Sequence, residues 1–91
     1  MTRATGTFEI VNELGLHARA AVKLTQTAQR FTCEITLSRE GQPANAKSVM
    51  GVLLLCGAKG AKVDVVAEGE AAEEAVAAIG ALIAARFGEP R

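Results

Sequence analysis

The sequence predicts an α+β fold, an open-faced β-sandwich in which one face of a sheet packs against helices and the other face meets water. Two observations support this prediction. Segments in which apolar and polar residues alternate are interleaved with segments in which apolar residues recur every three or four positions. These spacings are typical of half-buried strands and of amphipathic helices. The elements follow the order strand, helix, strand, strand, short helix, strand, helix, written βαββαβα.

Four segments are predicted to be strands. Residues 5–11, 32–38 and 62–67 each alternate apolar and polar side chains, so each strand should bury one face. A short fourth strand is expected over residues 42–45. Because Pro43 has no backbone N–H to donate, this strand should lie at an edge of the sheet.

Three segments are predicted to be helices. In residues 18–31 the polar residues form one stripe, and the opposite side is apolar, with Ala21, Val22, Leu24, Ala28 and Phe31. A longer helix is expected over residues 71–87, before a glycine and a proline that stop it. Its buried face should consist of Ala72, Ala75, Val76, Ile79, Leu82 and Ile83. Residues 48–54 should form a short apolar helix with Ser48 as its N-cap.

Length and composition limit the classes of function. The 91 residues leave room for a single domain, residues 1–91, and a domain of this size has little area to spare for a deep pocket. Ten basic and ten acidic residues balance, and only three residues are aromatic, so no nucleic acid partner is expected. The longest apolar stretch, residues 49–58, is about half of the ~20 residues that a membrane helix needs. We expect a cytoplasmic protein, since residues 1–7 lack the apolar core of a signal peptide, and no membrane insertion. We also expect it to be a monomer.

Neither a metal ion nor another cofactor is expected. Cys33 and Cys56 lie in apolar or alternating stretches without CxxC spacing, and the only histidine, His17, is far from both in the sequence. Tetrahedral zinc needs four convergent donors, so the sequence excludes a zinc site. Two buried thiols in a reducing compartment are expected instead.

His17 is the main candidate for chemistry. It ends the loop after the first strand and directly precedes the first predicted helix, in the run LGLHARA of residues 14–20. A helix N-terminus carries unpaired backbone N–H groups and about half a positive charge, which favours a bound or covalently attached phosphate. Arg19, in the first turn, adds a guanidinium that pairs well with such an anion. From these residues alone, a surface histidine that merely caps the helix is the simpler interpretation.

Two other motifs have both a structural and a functional interpretation. Ser48 either caps the short helix, which is the commoner role of serine there, or accepts a phosphate at the same place. Residues 57–60 have the Gly-x-x-Gly form of loops that clamp a nucleic-acid backbone, but they follow an apolar helix and precede a strand. A tight connection is the stronger interpretation of this run.

Two separated motifs give the chain a family resemblance. Residues 14–21 (LGLHARAA) and 45–62 (NAKSVMGVLLLCGAKGAK) resemble HPr, the histidine-containing phosphocarrier of the bacterial phosphotransferase system, and length and element order agree over nearly the whole chain. The resemblance implies a four-stranded antiparallel sheet with helices on one face. It also implies that enzyme I phosphorylates His17 on Nδ1 at the expense of phosphoenolpyruvate. The phosphoryl group then passes to sugar-specific or regulatory acceptors, such as EIIA-type proteins.

The same resemblance implies roles for other residues. Arg19 corresponds to the arginine that stabilises the phosphate. Ser48 corresponds to the serine that HPr kinase/phosphorylase modifies in bacteria that possess this enzyme. The implied partner-docking surface consists of Val49, Met50, Leu53 and Ala20. Ala20 also departs from the family, which usually has proline at this position, and alanine leaves the loop around His17 less constrained.

We therefore expect a phosphoryl carrier rather than an enzyme with a substrate pocket. Three alternatives stay open, of which the simplest is an α+β protein-interaction domain with no phosphochemistry. Of the other two, the first is a mainly regulatory HPr-like protein controlled through Ser48 and not coupled to sugar uptake, and the second is a small nucleic-acid-binding module built around residues 57–60. The presence of His17 argues against the first, because serine regulation does not need a histidine. The balanced charge argues against the second.

Overall fold

A four-stranded antiparallel sheet and three helices form the molecule, which confirms the predicted open-faced sandwich. The structure is a computed structural model, and it describes residues 2–91. The elements are β1 (Arg3–Glu9), α1 (Ala18–Gln29), β2 (Glu34–Arg39), β3 (Gln42–Asn45), α2 (Val49–Leu54), β4 (Lys62–Glu68) and α3 (Ala72–Ala84), followed by a 3₁₀ turn over Arg86–Gly88.

The strands lie in the order β1-β4-β2-β3, and every neighbouring pair is antiparallel. β3 is therefore an edge strand, as the proline in it predicted. Pro43 lies opposite Ser38 of β2, where the missing N–H breaks no bond to a further strand.

The alternation of β2 and β4 produces one buried and one solvated face. Ile35 and Leu37 of β2 and Val63 and Val65 of β4 are almost completely buried, and burying a side chain of this size contributes about 1.5–3 kcal/mol. On the other face the hydroxyl of Thr7 donates to the carboxylate of Asp64 across the β1–β4 ladder, at 2.6 Å. The period of two therefore separates core from water as predicted.

α3 approaches β1 closely because it carries a glycine where the two elements meet. The ring of Phe8 lies against Gly80, so that a Cβ at Gly80 would be only 2.4 Å from the ring. The same ring also covers Gly6 of β1. The two glycines therefore leave room for the Phe8 ring between α3 and β1.

Both long helices end earlier than predicted. α1 ends at Gln29 rather than at residue 31, and α3 ends at Ala84 rather than at residue 87. Phe87 fits the helical apolar pattern, yet it has a left-handed φ of 55° and is fully buried. The chain reverses at this point, and the Nζ of Lys23 donates to the carbonyl of Phe87 at 2.7 Å. This reversal directs residues 88–91 back toward the start of α1.

Four side chains differ in burial from the prediction, and one of them, Phe31 after α1, is only partly buried. Val22 is 39% exposed, because the buried face of α1 consists of Ala20, Ala21, Leu24, Thr25 and Ala28 and Val22 lies at its margin. Leu82 of α3 is only partly buried. Cys56, predicted to be buried, is exposed. It follows the C-cap of α2 with a left-handed φ of 52°, which turns its side chain away from the core.

The loop before α1 depends on one close backbone contact. Gly15 has a φ of 66°, and a Cβ there would be 2.4 Å from the carbonyl oxygen of Gly57. That same oxygen accepts a hydrogen bond from the Leu16 amide at 2.8 Å. Only glycine satisfies both the left-handed conformation and the contact.

We predict that Gly15→Ala lowers the free energy of unfolding by about 3 kcal/mol, from left-handed strain and a backbone clash. Gly41→Ala is the matched control: Gly41 also has a left-handed φ, 81°, but no atom lies within 4 Å of the Cβ position. The control should lose only about 1–2 kcal/mol. Urea unfolding measures both. Equal losses would show that the contact with Gly57 does not constrain the loop.

Candidate functional site

His17 occupies the N-cap position of α1, as the sequence predicted. Its backbone is extended, with φ −76° and ψ 178°, and its carbonyl accepts the first helical hydrogen bond, from the Ala21 amide at 2.9 Å. The imidazole does not cap the helix, because it makes no hydrogen bond to the first turn. The interpretation of His17 as a simple capping side chain is therefore wrong.

The backbone N–H groups of the first turn of α1 are available to an anion. Within residues 2–91, the amides of Ala18, Arg19 and Ala20 have no hydrogen-bond acceptor. These groups carry the positive end of the helix dipole. A phosphate attached beside His17 would meet donors that need no rearrangement.

Glu89 contacts the imidazole, and the sequence analysis missed it. One carboxylate oxygen, Oε2, binds Nε2 of His17, and the other, Oε1, accepts a hydrogen bond from the side-chain amide of Asn12 at 3.0 Å. Asn12 is completely buried and also donates to the carbonyl of Gly15 at 2.9 Å. The carboxylate is therefore held at both oxygens, and one of its supports also shapes the loop that carries His17.

The electrostatics of this cluster keep Glu89 ionised. The hydrogen bond with His17 is the main reason why the pKa of the Glu89 carboxyl lies below its ordinary value. Desolvation, the next largest influence, raises the pKa, and the Asn12 amide and the charges of His17 and Arg19 each lower it by less. The side chains of His17 and Glu89 remain 26% and 10% exposed, so the cluster lies at the surface.

Arg19 is exposed and close to the cluster without an ion pair of its own within residues 2–91. It lines a surface groove together with Glu13, Leu14, Glu89, Pro90 and Arg91. Its guanidinium is therefore free to turn toward an anion at His17. The structure brings together His17 and Arg19 as predicted and adds Glu89 and Asn12 to them.

Ser48 is the N-cap of α2, as predicted. Its hydroxyl oxygen accepts a hydrogen bond from the Gly51 amide at 3.1 Å. The residue is partly exposed, and its hydroxyl proton is not used in the cap. The cap therefore leaves the hydroxyl proton of Ser48 free.

The apolar surface beside the site differs from the predicted one. Met50 is 66% exposed, whereas Val49 and Leu53 are partly buried against the core. Ala20 is fully buried, because the third residue of α1 faces the core, so its methyl group cannot contribute to a docking surface.

The sequence analysis missed two large apolar residues that are exposed. Leu54 is 75% exposed and Leu14 is 71% exposed. Leu54 follows Met50 by four positions on α2, a spacing that places both on one side of the helix. That spacing was the available signal for Leu54.

Residues 57–60 connect α2 to β4, which agrees with the tight connection favoured from the sequence. The carbonyl of Gly57 accepts a hydrogen bond from the Leu16 amide, and the amide of Gly60 donates to the carbonyl of Ile10 at 2.7 Å.

Over residues 2–91, no three His, Cys, Asp or Glu side chains come together as metal ligands would. None of the helices in the described part of the chain has the length and apolar character needed to cross a membrane.

Comparisons with known proteins agree with this geometry. The family model described as "PTS HPr component phosphorylation site" matches residues 4–85. The phosphocarrier protein HPr of Cupriavidus necator is 49% identical over 80 residues, which cover 88% of this chain and 90% of the relative. The phosphocarrier protein NPr of Escherichia coli K12 is 46% identical over 84 residues, 91% of this chain and 93% of the relative.

A solved structure extends the agreement to the fold. The crystal structure of HPr-C-His from Thermoanaerobacter tengcongensis has a TM-score of 0.93 and 41% sequence identity, and the match covers 97% of this chain and 99% of the other. The family match, the identities and the fold all cover most of the chain. The chain belongs to the HPr family of phosphocarrier proteins of the phosphotransferase system.

Proposed function

We propose that this protein accepts a phosphoryl group on Nδ1 of His17 from enzyme I and passes it to EIIA-type or regulatory acceptor proteins. The observation that carries the proposal is the setting of the ring. Nε2 is occupied by Glu89, whereas Nδ1 has no hydrogen-bond partner within residues 2–91. One ring nitrogen is therefore held and the other is free to react.

The surroundings of Nδ1 suit a phosphoryl group. Nδ1 is the ring nitrogen nearer to the backbone, and the backbone here opens α1 with three unpaired amides. Amides and a mobile guanidinium from Arg19 supply donors to a dianion without burying it. A phosphohistidine held in this way stays near the surface, where a partner protein can reach it.

Partner docking would use the exposed apolar side chains around the site. Met50 and Leu54 of α2 and Leu14 of the loop before His17 are each more than half exposed, and α2 packs against α1. Desolvating a few such side chains gives a small interface of modest affinity. A carrier needs this property, because it must leave each partner after every transfer.

Ser48 would regulate docking through charge. It immediately precedes Val49 and Met50, so a phosphate on its hydroxyl would place negative charge beside the apolar side chains that a partner must desolvate. HPr kinase/phosphorylase, where present, would be the modifying enzyme. This regulation is compatible with carrier function on His17 and does not replace it.

His17→Ala should abolish phosphoryl acceptance while the protein stays folded, because the ring makes no helix cap. The measurement is incubation with enzyme I and labelled phosphoenolpyruvate, followed by acid and alkali treatment of the labelled protein. Acid-labile, alkali-stable label in the unmodified protein and none in the variant is the expected result. Equal labelling of the two proteins would contradict the proposed function.

Arg19→Ala should slow phosphoryl acceptance by about tenfold to a hundredfold without abolishing it, since losing one charge-assisted contact costs about 1.5–3 kcal/mol and the backbone amides remain. Arg30→Ala is the matched control. Arg30 is the C-cap at the other end of α1, so this variant removes the same charge at a place far from the N-cap His17. Rapid-quench transfer from phosphorylated enzyme I measures the rates. If the two variants behaved alike, Arg19 would have no specific role.

Ser48→Asp should weaken enzyme I binding about threefold to tenfold, because a charge beside the docking surface must be desolvated. The fold should persist, since a carboxylate suits a helix N-terminus. Gln42→Glu, on the exposed edge strand β3, controls for net charge. Titration calorimetry measures the affinities, and an unchanged affinity of Ser48→Asp would remove Ser48 from the regulatory role.

A further inference from the structure

Glu89 is held too firmly to be an incidental neighbour of His17. Its carboxylate contacts the ring with one oxygen and the buried Asn12 amide with the other, and the side chain is only 10% exposed. The segment that carries it is fixed by the buried Phe87 ring and by the hydrogen bond from Lys23 to the Phe87 carbonyl. Core packing therefore sets the place of this carboxylate relative to the ring.

The contact between Glu89 and Nε2 of His17 determines which ring nitrogen carries the proton. An ionised carboxylate only accepts hydrogen bonds, so the nitrogen that it binds must be the donor. In a neutral imidazole one nitrogen is protonated and the other has the free lone pair. With the proton on Nε2, facing Glu89, the lone pair lies on Nδ1.

We propose that Glu89 is a positioning residue for phosphoryl transfer, which holds the Nε2–H of His17 so that Nδ1 presents its lone pair to the phosphoryl donor. This inference rests on the proposed function and extends it to a residue outside the helix and loop that carry the histidine. Asn12 supports it, because the same amide binds Glu89 and the Gly15 carbonyl of the loop.

With the proton on Nε2, His17 can accept the phosphoryl group without losing or gaining a proton. The Nδ1 lone pair forms a bond to phosphorus, and the bond between phosphorus and the phosphorylated donor protein breaks, with its electron pair returning to the donor. The Nε2–H stays in place, so the phosphorylated ring carries positive charge, which the adjacent Glu89 carboxylate offsets. Discharge to an acceptor reverses the same changes, and no oxidant or metal takes part.

The test compares Glu89→Ala with Glu13→Gln. Glu13 lines the same surface groove, and its side chain makes no hydrogen bond or ion pair within residues 2–91, so the control removes a nearby carboxylate without touching the ring. The first measurement is ¹⁵N NMR of labelled histidine in alkaline buffer, where an imidazole is neutral. The second is the rapid-quench rate of transfer from phosphorylated enzyme I.

We expect the unmodified protein and Glu13→Gln to show a single tautomer with a resolved Nε2–H proton. Glu89→Ala should lose that proton signal to exchange with water, show a mixture of tautomers, and accept the phosphoryl group about tenfold to a hundredfold more slowly, by analogy with the loss of a carboxylate that orients a metal-binding histidine. Glu89→Gln, whose side-chain oxygen still accepts a hydrogen bond, should recover part of the rate.

Other results would overturn the inference. An unchanged tautomer and proton signal in Glu89→Ala would do so whatever the rate, and faster transfer would mean that the carboxylate blocks the ring instead of positioning it. These outcomes differ from a failure of the proposed function, which would appear as labelling that does not depend on His17.

Discussion

The hydrogen bond from the Leu16 amide to the Gly57 carbonyl joins the loop before α1 to the connection between α2 and β4. It determines where α1 begins, because His17 follows Leu16 as the N-cap. The carbonyl of Gly57 can approach this closely only because Gly15 has no side chain. The free amides of α1 and the position of the imidazole therefore both depend on the contact between the Gly15–Leu16 backbone and the carbonyl of Gly57.

Stability and function occupy different parts of this small fold. The buried residues of β2, β4, α1 and α3 form one apolar cluster, whereas the candidate site lies on a loop, a helix N-terminus and the segment after α3. A substitution of His17 or Arg19 therefore removes little buried area and should leave the core intact. The exception is Asn12, which is fully buried and belongs to both parts.

The sequence predicted the elements whose physics is local. The alternation of β2 and β4, the N-caps at His17 and Ser48, and the edge position of Pro43 follow from patterns within a few residues, and the structure confirms them. The end of α3 was not predictable in this way, because Phe87 satisfies the helical pattern and yet is buried by a reversal of the chain. Glu89 depends on that reversal. Its contact with His17 spans 72 positions, and no spacing within the sequence reports it.

The two nitrogens of the His17 ring face surroundings of opposite charge. On the side nearer the backbone, α1 begins with unpaired amides and Arg19 follows with a guanidinium, so that side is electropositive. On the far side, Nε2 meets the Glu89 carboxylate, whose low pKa keeps it ionised. A phosphoryl dianion placed on Nδ1 and the positive charge that the ring then carries both match these surroundings. Because the site remains at the surface, this match is screened by water and stays moderate. A moderate match suits a carrier, since a phosphoryl group held too tightly could not be passed on.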